Sequence, residues 1–428
     1  MKRLLNVFFI TIILFIFPSF TAFAEDTDFD GYIIKFKPDT MITCSDDLEV
    51  VYAPEGLYKT DTLEDAKMFE EYAEYIEPNY TFTLDETINT YDYSLYEKQY
   101  CHSTSNSLFM QKIGLYGDNV KIGIIDSGIY PHNALKDKIK GGYNYAESTT
   151  DYTDSYGHGT AVAGIIAASY GDFDVIGVAP RCELYSLKCF KEKTASLTYI
   201  TQAIYAAVDT FDVDILNMSI GDDKDSVSLR NAINHAYNAG VIMIASAGNA
   251  SSTTLMYPAA YSNVIGVGAL NSTGTSRATY SNYNTHVYCT AVGTSIKVCS
   301  ISENTYTTKN GTSFSCPLVT GVIANMMVLK PDITLEEIKT ILAATCTDMG
   351  AAGYDTEYGY GAVNGRAIVN YMLKDRDFYI SPKDTFFSNT VVPVAEYRVW
   401  KNPALDTNPV FFWNEYDKNG KMNTYNKF

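Results

Sequence analysis

Four short blocks of the chain hold the residue types that acyl transfer requires. VKIGIIDSGI ends an apolar run on Asp126, and DSYGHGTAVAGII sets His158 between two glycines at the start of a helical stretch. VIMIASAGNAS ends an apolar run on Gly248 and Asn249, and NGTSFSCPLVTGV delivers Ser313 to the head of an apolar, helix-spaced segment. A serine hydroxyl is a weak nucleophile until an imidazole takes its proton. The imidazole in turn needs a carboxylate to fix its tautomer and stabilise its charged form. The oxyanion that develops needs a preorganised donor, such as an Asn amide or a backbone N–H at a helix start. Asp126, His158, Asn249 and Ser313 supply one member for each role. Singly, each has a plainer reading: a loop aspartate, a structural histidine, a turn asparagine, and an N-cap at Thr312 or Ser313. Their joint presence points to nucleophilic hydrolysis.

Such groups must be carried by a scaffold, and its pattern is legible. Apolar runs at 120–125, 183–188, 213–219 and 241–246 read as strands, separated by helical stretches at 159–168, 197–208 and 229–240. Continuous apolar strands between amphipathic helices predict a parallel sheet covered on both faces. In such sheets, functional side chains gather at the carboxyl ends of strands. Gly240 is expected to stop its helix, and Thr334 with Glu337 to form a capping box flanked by Ile333 and Ile338. Pro317, about one turn inside the helix that follows Ser313, removes a backbone hydrogen bond. Ahead of this region, GYIIKFK reads as a strand and TLEDAKMFEEYAEYIEPN as one acidic helix, together a small α+β unit. From Asp375 onward the sequence is aromatic and Pro-punctuated, and its pattern assigns no fold.

Composition narrows the function classes. The chain has 428 residues, 46% of them apolar, enough for a sizeable core. It opens with Lys2 and Arg3, an apolar stretch Leu4–Phe17 and the small-residue site Ala22-Phe23-Ala24, which reads as a secretory signal and predicts export. Net charge is −18, and residues 25–100 hold 20 Asp and Glu against five Lys, so the acidity sits in one front segment. That distribution excludes a basic nucleic-acid surface. The same segment has no histidine, which excludes a His-based pH switch inside it. Eight scattered cysteines fit neither a disulfide-stapled mini-domain nor a C-x-x-C metal site. Cys182 and Cys189 flank a predicted strand roughly 23 Å long, too far apart to bridge. Cys289 and Cys299 could face each other across a hairpin.

IIDSGI, GHGT, ASAGN and NGTS, in that order, resemble the subtilisin-like (subtilase) serine proteases, from about Tyr91 to Val369. The resemblance implies a subtilisin-like three-layer α/β fold, with a mostly parallel sheet covered by helices and a small α+β pro-domain in front. It implies Asp126 as orienting acid, His158 as general base and then acid, and Ser313 as nucleophile. Asn249 and the Ser313 N–H would form the oxyanion hole. Ser219, Ile220 and Gly221 in LNMSIG would pair with an extended substrate. Ala247 and Gly248 would line the other side of the primary specificity pocket. MYPAAY resembles a segment whose Tyr–Pro bond is cis, here Tyr257–Pro258. The acidic unit, with YIIKFK and EYIEPN, resembles the family's inhibitory pro-domain.

The implied organisation is a signal peptide at 1–24, a pro-domain at 25–95, a catalytic domain at 96–372 and an extension of unknown role at 373–428. The implied protein is a secreted, self-processing, monomeric serine endopeptidase. It would act on polypeptides through an acyl-enzyme, with its pro-domain as intramolecular inhibitor and with no nucleic-acid or lasting membrane partner. No cofactor is expected for catalysis. Structural calcium is unsupported, because Ala134 stands where an Asp often assists it. A precursor- or leader-processing protease and a catalytically silent binding protein are the alternatives. The intact GHGT argues against a carboxylate-based serine peptidase. Departures from the family pattern are Phe314, Ser315, Cys316, Pro317 and Leu318 after the serine, Ala161 after GHGT, and CTAVG at 289–293. Asp222, Asp223 and Asp225, following the cleft strand, could favour basic substrates.

Overall fold

The computed structural model describes residues 29–38, 48–52, 56–84, 87–88, 102, 104–169, 173–373, 378–382, 395–401, 410–416 and 422–427. The signal-like residues 1–24, Cys44 and Cys101 lie outside them. The front unit contains β1 (Phe29–Phe36), β2 (Glu49–Tyr52), β3 (Leu57–Thr60), α1 (Leu63–Lys67), β4 (Ala73–Leu84) and β5 (Thr87–Ile88). Next come α2 (Ser107–Lys112), β6 (Lys121–Asp126), β7 (Ile139–Asn144), α3 (His158–Ala167), β8 (Glu183–Lys188) and β9 (Thr194–Ser196). The chain continues through α4 (Leu197–Asp209), β10 (Ile215–Met218), β11 (Ile220–Gly221), α5 (Val227–Asn238), β12 (Ile242–Ser246), β13 (Val264–Leu270) and β14 (Val287–Val292). After β15 (Ile296–Cys299) and β16 (Tyr306–Asn310) come α6 (Thr312–Leu329), α7 (Leu335–Thr345) and α8 (Gly365–Leu373).

The central sheet has seven strands in the order β14-β13-β12-β10-β6-β8-β7. Each neighbouring pair is parallel. Strand residues alternate between faces. Ile242 and Ile244 of β12 pack with α3 and α6, while Met243 and Ala245 pack with α4 and α5. This gives three layers, with an apolar core on each side of the sheet. Among the described residues, one helix is long and apolar enough to cross a membrane. It is α6, which is buried between the sheet and α3. Gly240 adopts φ 88° just past α5, and Thr334 and Glu337 cap α7 reciprocally, as their sequence signals predict. Tyr257–Pro258 is cis.

Three expectations need correction or extension. The acidic stretch is not one long helix: α1 spans only Leu63–Lys67, and the chain enters β4 at Ala73. Pro78 cannot occupy a helix interior, and β1 offers an antiparallel partner to Tyr75, Ile76, Glu77 and Pro78. Burial from Ala73 onward alternates loosely, with Ala73, Glu77 and Asn79 inside and Glu74 outside. Cys289 and Cys299 do not face each other across a hairpin. Cys289 lies on β14 of the parallel sheet, whereas β15, which carries Cys299, pairs with β16. Cys289 meets Cys346 instead, side chain to side chain. The unassigned C-terminal stretch contains four strands, β17 (Phe378–Pro382), β18 (Ala395–Lys401), β19 (Val410–Tyr416) and β20 (Met422–Lys427), paired as an antiparallel meander.

Candidate active site

Strand β6 ends on Asp126, and both of its carboxylate oxygens lie 2.9 Å from His158 Nδ1. A carboxylate can only accept, so Nδ1 carries the proton and the tautomer is fixed. The Ser127 N–H donates to the same carboxylate at 2.7 Å. Asp126 and His158 are both fully buried. Burial pushes the Asp126 carboxyl above its ordinary range, while the imidazole and the Ser127 N–H pull it back.

The loop before His158 explains how the pair is held. Asp154, which sequence reasoning passed over, is buried and accepts five hydrogen bonds. Its Oδ1 takes Ser127 Oγ, Tyr156 N and Gly157 N, each at 2.9 Å. Its Oδ2 takes Thr160 N at 2.9 Å and Thr160 Oγ1 at 2.6 Å. Asp154 therefore ties the end of β6 to the first turn of α3, where a negative charge is also favoured. Gly159 makes the approach possible. A Cβ there would lie 2.2 Å from the Gly128 carbonyl oxygen and 3.0 Å from Asp126 Oδ1.

Ser313 is the second residue of α6, and neither Thr312 nor Ser313 acts as its cap; that position is Gly311. Thr312 is instead turned toward Asn249, whose Oδ1 accepts from Thr312 N at 2.8 Å and from Thr312 Oγ1 at 3.0 Å. Both partners are donors, so the carboxamide orientation is fixed. Asn249 Nδ2 is left buried without a hydrogen-bond partner among the described residues. Ser313 Oγ donates to the Ser219 carbonyl at 3.2 Å, and Ser219 Oγ donates to the Ser313 carbonyl at 2.9 Å. The Ser313 carbonyl is available because Pro317, four residues on, has no N–H to offer it. Asn217 supports this contact, giving Nδ2–H to Ser219 Oγ at 3.0 Å and accepting from Cys316 Sγ and Thr320 Oγ1. Cys316 is fully buried, and desolvation holds its thiol well above the ordinary range, so it stays protonated and inert. The Phe314 ring, at the head of α6, lies 5.4 Å from the His158 ring.

The predicted cleft residues also lie here. Ile220 and Gly221 form β11, which pairs antiparallel with Leu84 and Thr83 of β4. On its other edge β4 pairs with β9, Thr81 opposite Ser196 and Thr83 opposite Thr194. The front unit then resumes beyond the cleft, where Thr87 and Ile88 pair with Asn310 and Lys309 of β16. Ala247 and Gly248 lead directly into Asn249. In the acidic loop, Asp225 is engaged by Arg230 and by Tyr261 Oη at 3.0 Å, and Asp222 Oδ1 accepts from Lys224 N at 3.0 Å. No group of three His, Cys, Asp or Glu fit to hold a metal occurs among the described residues. Ala134 is buried and offers no side-chain oxygen to calcium.

Docking of the front unit uses two residues that sequence reasoning also passed over. Glu77 is buried at the start of α5, accepting from Ser226 Oγ at 2.9 Å, Val227 N at 2.7 Å and Ser228 N at 2.6 Å. Asn79, two residues on, accepts from Thr198 N at 2.7 Å at the start of α4 and donates to Ser196 Oγ at 2.6 Å. One strand face thus caps two helices, satisfying N–H groups that have no partner within their own helix. Glu77→Gln is expected to lower the stability of the uncleaved chain by about 2 kcal/mol. Thermal unfolding of that variant in a Ser313→Ala background would measure it. An unchanged midpoint would show that the charge at Glu77 does not hold the unit in place.

Comparison with known proteins places this architecture. The Subtilase family model matches residues 117–361. The chain is 36% identical over 258 residues to minor extracellular protease Epr of Bacillus subtilis, covering 60% of this chain and 39% of that protein. It is 36% identical over 266 residues to subtilisin DY of Bacillus licheniformis, covering 60% of this chain and 93% of subtilisin DY. A thermostable alkaline protease of Halalkalibacterium halodurans is 33% identical over 294 residues, which is 68% of this chain and 76% of the relative. With the family model spanning more than half of its length and its central parallel sheet layered between helices, the chain belongs to the subtilase family of serine-type endopeptidases.

Proposed function

We propose that Asp126, His158 and Ser313 form the triad that hydrolyses peptide bonds, with Asn249 Nδ2 and the Ser313 N–H as the oxyanion donors. The observation that carries this reading is the fully buried Asp126–His158 pair beside the head of α6. Ser313 Oγ attacks the scissile carbonyl carbon while His158 takes its proton. The resulting oxyanion is held by Asn249 and the helix-start N–H. As the intermediate collapses, His158 passes the proton to the leaving amine and the acyl-enzyme remains. A water that gives its proton to His158 then releases the acid and restores Ser313. No step needs a cofactor. Asn249→Ala is expected to lower kcat by about 10²- to 10³-fold with KM within a few-fold, because the donor acts on charge that develops only in the transition state. Steady-state kinetics on one peptide substrate would measure it, and an equal loss carried in KM would remove Asn249 from that role.

The protein is further proposed to be an exported zymogen whose front unit, residues 25–95, inhibits the catalytic domain at 96–372 until it is cut. Pairing of β4 with β9 and β11, and of β5 with β16, supports this, since the segment lies along the cleft as an extended substrate would. The processing bond then falls between Leu84 and Thr87, ahead of the boundary at 95, so that β5 would stay with the catalytic domain; Asp85 and Glu86 lie outside the described residues. Relatives named as extracellular protease or as subtilisin support export and polypeptide substrates. N-terminal sequencing of the secreted wild type and of Ser313→Ala, expressed side by side, tests the reading. The wild type should begin at or near residues 85–87 and the variant should keep its acidic segment. Equal cleavage of both would assign maturation to another protease.

A further inference from the structure

We propose that Cys289 and Cys346 are joined by a disulfide in the exported protein, bracing the outer edge of the central sheet against the segment that leaves α7. The inference goes beyond the proposed protease activity and draws only on its export, since such a bond persists in an oxidising compartment. Strand β14 is the last strand of the seven-stranded sheet, and its register slips at Tyr288, so Cys289 follows a bulge and sits opposite Val267. A bulge re-aims the side chains beside it. Residues 360–363 run along the free edge of β14. Tyr360 N–H donates to the Tyr288 carbonyl, Thr290 N–H to the Gly361 carbonyl and Val363 N–H to the Thr290 carbonyl, each at 2.9 Å. On the far side of this segment, Thr347 N–H donates to the Ala362 carbonyl at 2.7 Å and Ala362 N–H to the Thr347 carbonyl at 2.9 Å. Thr290 and Thr347, the residues that follow the two cysteines, thus flank the same residue, Ala362. Glycines let the strips close up. A Cβ at Gly359 would lie 2.3 Å from the Tyr288 carbonyl oxygen, and one at Gly361 would lie 2.1 Å from the Thr347 carbonyl oxygen.

Within this arrangement the two thiols meet. Cys289 is fully buried, while Cys346, the C-cap residue of α7, is partly exposed and packs against the apolar cluster that contains Cys289. The other thiols nearby have other neighbours. Cys189 Sγ donates to the Tyr199 carbonyl at 3.3 Å, and Cys299 Sγ lies against Gly164. Cys316, also near Cys289, donates to Asn217 Oδ1 at 3.3 Å. The bond forms by exchange with a small disulfide, RSSR. Cys346, the more exposed thiol, loses its proton and attacks one sulfur of RSSR, giving a mixed disulfide and RS⁻. Cys289 then loses its proton and attacks the Cys346 sulfur, displacing the second RS⁻. The two leaving thiolates take up the two protons, so two cysteines are oxidised and one RSSR is reduced to two RSH. The hydrogen bond to Cys289, together with burial, holds the Cys346 thiol well above its ordinary range, which leaves little thiolate in the folded protein. The bond is therefore laid down while the chain folds, before the apolar cluster closes over it.

The test supplies its own oxidising setting, so a failure of native export or of the triad reading is told apart from a failure of this one. The full chain carrying Ser313→Ala, which should not digest itself, is sent to a bacterial periplasm by a separate leader. It is then blocked with iodoacetamide in denaturant without reductant, digested with trypsin and weighed by mass spectrometry. Residues 278–297 and 340–366, tryptic peptides that each hold one of the two cysteines, should appear as a linked pair that dithiothreitol separates. Both cysteines alkylated in the unreduced sample, or Cys289 linked to Cys316 instead, would overturn the proposal. Closing the loop 290–345 restricts the unfolded chain, so reduction should lower the melting midpoint by about 5–10 °C. Cys346→Ala should melt at that lower midpoint with or without reductant. A linked pair whose reduction shifts the midpoint by less than about 1 °C would show that the bond braces nothing.

Discussion

Replacing Ser313 with alanine is expected to lower kcat/KM toward peptides by about 10⁶-fold, the size of loss seen when subtilisin is stripped of its serine or histidine. The reason is that, in the proposed triad, the hydroxyl is the bond-forming group. Cys316 is nearest in sequence, yet it is buried, protonated and committed to Asn217. The fold should tolerate the change, since Ser313 Oγ contributes one 3.2 Å hydrogen bond to the Ser219 carbonyl. Adding His158→Ala should cost little more, because a base without a nucleophile has nothing to activate. Kinetics on titrated enzyme would decide the matter. A single variant retaining more than about one hundredth of wild-type activity would sink the role of Ser313.

Exchange of Asp126 for asparagine should cost about 10⁴-fold in kcat with KM nearly unchanged. The amide is isosteric, so the geometry at 2.9 Å can survive. Its Nδ2 is a donor, however, and would drive the Nδ1 proton of His158 to Nε2. The imidazole would then face Ser313 with a proton instead of a lone pair, and the charge that stabilises the imidazolium would be gone. Stability should hold or rise slightly, because burial already raises the Asp126 carboxyl and the substitution removes a desolvated charge. Measuring kcat together with the melting midpoint separates the two effects. A loss below tenfold at an unchanged midpoint would show that Asp126 does not orient the base.

Much of the catalytic layer could be read from the chain alone, because continuous apolar runs and capping signals are local and strong. The four blocks around Asp126, His158, Asn249 and Ser313 were found by chemistry and order, and the structure brings Asp126 to His158 and Asn249 to the head of α6. What escaped was non-local. Asp154 looks like any loop aspartate, and its five donors come from Ser127, Tyr156, Gly157 and Thr160, which only the folded chain gathers. Glu77 and Asn79 were hidden inside a stretch whose composition favours helix, and their alternation acquires meaning only when β1 pairs with β4. The Cys289–Cys299 expectation failed for a related reason. A run flanked by cysteines suggests a hairpin, but β14 belongs to the parallel sheet.

Helix α6 is one hydrogen bond short near its start, and that shortfall joins two parts of the molecule. The carbonyl that Pro317 leaves without a helical partner is the one that Ser219 holds. Widening the cleft by drawing β11 away from α6 would strand that buried oxygen, at a cost on the order of 1–3 kcal/mol. The strand proposed to hold a substrate and the serine proposed to cut it are thus tied by one buried hydrogen bond. On that proposal, a peptide drawing on the strand would carry the serine along with it.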